Sequence, residues 1–159
     1  MKFKVEQEFD APLEKVIKAR EERYNLLPDL KKPDIIERKE TGNQVHTKRK
    51  FKASGALPKS MKKFVPMDSM EFVDHSTWDG DSNEHRWKQV SVKFAKQIRW
   101  EGVTRYEGAG GKTKRVMTGE IKVKIPFVGD QLEKMMVSGF KKNFEKDYDT
   151  INKAMEMMG

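Results

Sequence analysis

Apolar side chains recur at spacings of three and four through the C-terminal part of the chain: Leu132, Met135, Met136, Phe140, Phe144, Tyr148, Ile151, Met155 and Met158. That period marks a helix with one buried face. It predicts a helix from Asp130 to Met158, roughly 40 Å long at about 1.5 Å per residue. A helix of that length cannot bury its stripe beside one strand, so it has to lie across a sheet. The segment just before it supplies a strand. In "GEIKVKI", Ile121, Val123 and Ile125 alternate with Glu120, Lys122 and Lys124, a period of two. Pro126 and Gly129 then break the pattern. Asp130 with Glu133 three residues later resembles a capping box, with Asp in place of Ser or Thr.

The rest of the chain predicts the sheet. Lys2 to Phe9 alternates as a strand, and Leu13, Val16, Ile17, Tyr24 and Leu27 form a helical stripe to about residue 30, bent or broken at Pro28. Asp10 and Pro12 suit the start of that helix. Three hairpins follow: residues 34–41 and 44–53 around Gly42-Asn43, 69–78 and 84–94 around "DGDSN", and 97–107 and 112–125 around "GAGGK". Residues 55–68 hold two prolines and read as a loop. A strand, a helical segment, six antiparallel strands and a long helix make an α+β chain. A twisted antiparallel sheet wrapping the helix buries the helical stripe economically.

Composition narrows the chemistry. The 159 residues suit a single domain over 1–159. The absence of cysteine excludes disulfides, thiol catalysis and cysteine-ligated zinc, and is compatible with a cytoplasmic location, peripheral membrane contact included. The N-terminus "MKFKVEQEFD" is an alternating strand without the apolar core of a signal peptide. No apolar run reaches the length of a transmembrane segment. The net charge of +8 suits an anionic partner or a solvated strand face. "GAGGKT" lacks the first glycine of a phosphate-binding loop, Tyr106 standing there, and joins two strands. "DGDSNE" lacks the glycine and the terminal Glu of a calcium loop. No metal and no cofactor is expected.

Several segments together resemble the START-like, or Bet v 1-like (SRPBCC), helix-grip superfamily: "FDAPLEKV" after the first strand, "AREERY", "LPDL", "LPKSMKKFVP" and above all "GEIKVKIPFVGDQLEKMMVSGFKKNFE". Within it the chain is similar to a poorly characterised bacterial START-like family of unknown function. The resemblance implies a seven-stranded curved antiparallel sheet wrapped around the long C-terminal helix, with two short helices after strand one. It also implies a cavity between sheet and helix, commonly for a hydrophobic ligand. It supplies no single chemistry, because members bind lipids or hormones, or cyclise polyketides.

Alternation places candidate residues on the inner face. Arg49, Phe51, Trp87, Trp100, Tyr106, Arg115 and Met117 from the strands, with Met136, Phe140 and Phe144 from the helix, are the candidate cavity lining. Arg49 and Arg115 among aromatic residues need partners. A ligand carboxylate or phosphate would serve, and so would protein acids such as Asp74 or Glu101. Lys59, Lys62, Lys63 and Phe64 form a cationic, amphipathic patch suited to an anionic membrane or a partner. Nucleic acid is not expected, since the aromatic residues fall inside the grip.

Three functions fit. The first is non-enzymatic binding, including transport, of a hydrophobic or amphipathic small molecule such as a lipid. The second is an enzyme of polyketide-cyclase or hydratase type, for which His85, Asp74 and Arg115 are the candidates. The third is an interaction module with a filled core and a basic binding face.

Overall fold

A computed structural model describes residues 1–52 and 71–159. The elements are β1 (Lys2–Phe9), α1 (Leu13–Leu26), β2 (Asp34–Thr41), β3 (Gln44–Lys52), β4 (Glu71–Asp79), β5 (Glu84–Ser91), β6 (Ile98–Ala109), β7 (Lys112–Val123) and α2 (Gly129–Met158). The strands form one antiparallel sheet in the order β1-β7-β6-β5-β4-β3-β2. Each hairpin therefore pairs its own strands, and β1 closes the sheet beside β7. The 30-residue α2 is about 45 Å long and lies across the inner face. This is the helix-grip arrangement that the resemblance implied.

Strand period decides what is buried. Along β7, Thr113, Arg115, Met117, Ile121 and Val123 are buried while Lys112, Lys114, Thr118 and Lys122 are exposed. Two apolar clusters result. Phe3, Phe72, Trp87, Trp100, Met117, Ile121, Leu132 and Met136 belong to one. Phe9, Val16, Ala19, Trp78, Tyr106, Ile151 and Met155 belong to the other, where α1 packs on α2. Gly110 and Gly111 both adopt positive φ between β6 and β7, the backbone that a two-residue hairpin of this twist demands. The "DGDSN" turn is built by the Asp79 carboxylate, which accepts hydrogen bonds from the backbone N–H groups of Asp81 and Ser82.

Both helix starts depart from the sequence expectation. Neither helix has a side-chain cap: Pro12 occupies the cap position of α1 and Val128 that of α2. Asp10 lies before the helix. Asp130 sits inside the first turn of α2, where its charge favours the helix N-terminus. Glu133 is used elsewhere, accepting the Val123 N–H at 2.9 Å and so finishing β7. In the turn between β7 and α2 the positive φ falls on Phe127, not on Gly129. Gly129 is needed for closeness, because a Cβ there would stand 2.5 Å from the Val123 carbonyl oxygen. After strand one there is a single helix; the segment expected to hold a second is a turn at Pro28 and Asp29. The loop expected at 55–68, with Lys59, Lys62, Lys63 and Phe64, lies outside the described residues.

Candidate functional site

Cross-strand register stacks the inner face in levels. Arg49, Asp74, Gln89, Trp100 and Ile121 are successive partners across β3 to β7. The next level runs Thr47, Ser76, Trp87, Gly102, Gly119 and Phe3. The third runs Val45, Trp78, His85, Thr104 and Met117. The fourth sets Arg115 between Tyr106 and Gln7. Over these levels α2 presents Leu132, Met135, Met136, Gly139, Phe140, Asn143, Phe144 and Asp147. That stripe covers about 22 Å of helix axis.

Between sheet and helix lies a cavity of about 470 Å3, within the range of small-molecule sites. Its polarity changes along α2. Toward Leu132 and Met136 the walls are aromatic and aliphatic. Phe140 lies 4.8 Å from Trp87 and 5.5 Å from Trp100, ring centre to ring centre. Trp87 and Trp100 meet edge to face, and Phe72 meets Trp100 in the same way at 5.4 Å. Gly139 leaves space: a Cβ built there meets no atom within 4 Å. Toward Asp147 the walls carry charge, with Arg20, Arg23 and Tyr24 of α1 joining Arg115, Tyr106 and His85.

The arginines are used unequally. Arg115 is 0% exposed. Its Nη1 donates to Asp147 at 2.6 Å and to the Tyr106 hydroxyl at 3.3 Å. Its Nε and Nη2 both donate to Gln7 Oε1, and Nη2 also to the Phe144 carbonyl. The Phe144 ring lies 3.9 Å from its guanidinium carbon. Arg23 pairs with the same Asp147 at 3.6 Å. Burial alone would raise the Asp147 carboxyl, but Arg23 and Arg115 outweigh it and hold the group below its ordinary 3.8. Arg49 pairs with Asp74 at 3.3 Å. Arg20 makes no ion pair among the described residues. It lies 4.1 Å from the Trp78 ring centre, with the Tyr106 hydroxyl beside it. Burial pushes its pKa down.

Four buried polar atoms on cavity-lining residues have no hydrogen-bond partner among the described residues: Asp74 Oδ1, Gln89 Oε1, Trp87 Nε1 and Trp100 Nε1. Two are acceptors and two are donors. They stand on neighbouring positions of the first two levels. Leaving such groups unpaired costs roughly 1–3 kcal/mol each. His85 is held neutral, its pKa lowered to about 3 by burial first and then by the charges of Arg20, Arg49 and Arg23, with Asp147 opposing.

The cavity gathers Arg49, Phe51, Trp87, Trp100, Tyr106, Arg115, Met136, Phe140 and Phe144. Met117 is fully buried in the apolar cluster beneath and is not part of the wall. His85, Asp74 and Arg115 all line it, but no hydrogen bond joins them; Asp74 accepts from Ser76 and pairs with Arg49. Arg115 pairs with Asp147, and neither with Asp74 nor with Glu101, which takes Arg99. Sequence reasoning missed Arg20, Arg23 and Asp147. The signal was available on α1, where Arg20 and Arg23 continue the face opened by the buried Val16 and Ala19. Asp147 likewise stands one turn after Phe144 on the buried side of α2.

The family described as "Protein of unknown function (DUF2505)" matches residues 4–154. No curated protein matches the chain in sequence. Solved structures do match in shape. A protein from Thermus thermophilus superposes with a TM-score of 0.65 at 17% identity, over 100% of this chain and 99% of that one. The Zhui aromatase/cyclase from Streptomyces sp. R1128 gives 0.64 at 14% identity, over 98% and 94%. Norcoclaurine synthase from Thalictrum flavum, in complex with dopamine and hydroxybenzaldehyde, gives 0.60 at 15% identity, over 96% and 84%. At these identities the likeness establishes the helix-grip fold and nothing finer.

Proposed function

We propose a function from one premise: the chain belongs to the DUF2505 family of proteins of unknown function, so its own cavity has to carry the reading. That reading is binding of an amphipathic small molecule, enclosed between the sheet and α2. Apolar surface of the ligand leaves water against Trp87, Trp100, Phe140 and Met136, which is favourable in proportion to the area removed. A few fixed polar groups orient it.

The observation that carries this is the cavity itself, about 470 Å3 between the sheet and α2, aromatic toward Trp87, Trp100 and Phe140 and charged toward Asp147. A ligand with an apolar body and a polar end matches that gradient. The two solved structures named as a cyclase and a synthase share the fold, and among the described residues the candidates His85, Asp74 and Arg115 are joined by no hydrogen bond.

The test uses N-phenyl-1-naphthylamine, a neutral probe that fluoresces on leaving water. The protein is expected to bind it. Gly139→Phe directs a ring into the open space at that position and is expected to weaken probe binding at least about ten-fold while far-UV circular dichroism stays unchanged. A folded wild-type protein that leaves the probe dark would reject enclosure.

A further inference from the structure

We infer that the ligand is an anion, and that its carboxylate is held by Arg20 at the α1 end of the cavity. The inference rests on the binding reading above and specifies the ligand class. Among the described lining residues five cations, Arg20, Arg23, Arg49, Arg115 and Lys52, stand against two carboxylates, Asp74 and Asp147; Lys52 pairs outside the lining, with Glu71. Both carboxylates are already committed. Asp147 serves Arg23 and Arg115 together, and Asp74 serves Arg49.

Arg20 is the cation left over. It lines the cavity, forms no ion pair among the described residues, and is held in place by the Trp78 face at 4.1 Å. The Tyr106 hydroxyl faces the Arg20 guanidinium and Asp147 acts on it without forming an ion pair, and an aromatic face offsets only part of the cost of burying a cation. A carboxylate fits the planar fork of an arginine and restores the balance. The surroundings favour an anion further. His85 adds no charge of its own, and Arg23 and Arg49 add to the positive field there. The same position fixes a pose, with the anionic head beside α1 and the apolar body running along α2 toward Trp87, Trp100 and Met136.

The experiment displaces N-phenyl-1-naphthylamine with laurate and with dodecanol, which share a chain and differ in head-group charge. In the wild-type protein laurate is expected to displace the probe at a concentration about ten-fold or more below that of dodecanol. Arg20→Gln is expected to bring the two close together, the laurate-to-dodecanol ratio being read in each protein against its own probe affinity. Arg20→Lys, which keeps the charge without the fork, is expected to fall between them. If the probe binds but wild type treats laurate and dodecanol alike, or Arg20→Gln leaves their ratio unchanged, the anion inference is overturned and enclosure stands. If the probe does not bind the wild-type protein at all, enclosure itself falls. Should Arg20→Gln fail to fold, the wild-type ratio and the Arg20→Lys ratio decide the matter.

Discussion

Arg115 and Arg20 reach the same cavity, and their surroundings give them different work. Arg115 has a carboxylate, an amide oxygen, a phenol and a carbonyl around one guanidinium, so it has no capacity to spare for a ligand. Its role is to tie β1, β6 and β7 to α2. Asp147→Asn removes the counter-charge from a fully buried cation. It is expected to cost about 3 kcal/mol, seen as a lower urea midpoint with an unchanged slope. A midpoint equal to wild type would show that Gln7 and Tyr106 suffice. His85 gives a pH signature. The unfolded chain takes up a proton as pH falls through 6.5, while the folded chain resists until about 3. The unfolded state therefore binds more protons between those values, so stability is full above 6.5 and is lost progressively as pH falls toward 3. His85→Gln is expected to lose less stability than wild type between pH 7 and pH 5 in denaturant titrations. Equal losses would mean that the imidazole titrates normally.

Two glycines on different elements show how the cavity is bounded. Gly102 on β6 lies under the Trp87 indole, and a Cβ there would come within 2.3 Å of that ring. Gly139 on α2 faces open space. The same substitution should thus act with opposite sign at the two sites. Gly102→Ala is expected to destabilise by about 1–3 kcal/mol, because the tryptophan has to leave its position against the sheet. Gly139→Ala is expected to stabilise by up to about 1 kcal/mol through helix propensity. Thermal denaturation of the pair checks the contrast, and stabilisation of both would mean that Trp87 yields without cost. At this scale the sequence was readable wherever the period was local. The strands alternate and α2 repeats every three or four residues, so element order and inner faces followed directly. The caps did not, because Glu133 was drawn away by the free end of β7, a contact between elements.

Over the whole molecule, the least legible parts were those in which α1 and α2 meet the sheet. Arg49 and Asp74 are cross-strand partners, and register alone brings them together. Asp147 is supplied to Arg115 by a helix crossing above the strands. Arg20 reaches the cavity only because α1 packs on α2 with its Val16 and Ala19 face inward. No spacing within one segment encodes such meetings. They depend on how the sheet curves and where the long helix crosses it.

The chain order of these elements also has a consequence during synthesis. All seven strands precede α2, and β1, made first, pairs with β7, the last strand made. The residues of the aromatic inner face are therefore synthesised before the helix that covers them. In that interval the nascent chain exposes Trp87, Trp100 and Phe72 to its neighbours, the condition under which partly folded chains aggregate or recruit chaperones. The cavity between sheet and helix closes only once α2 docks, and the non-local pairing of β1 with β7 has to precede it.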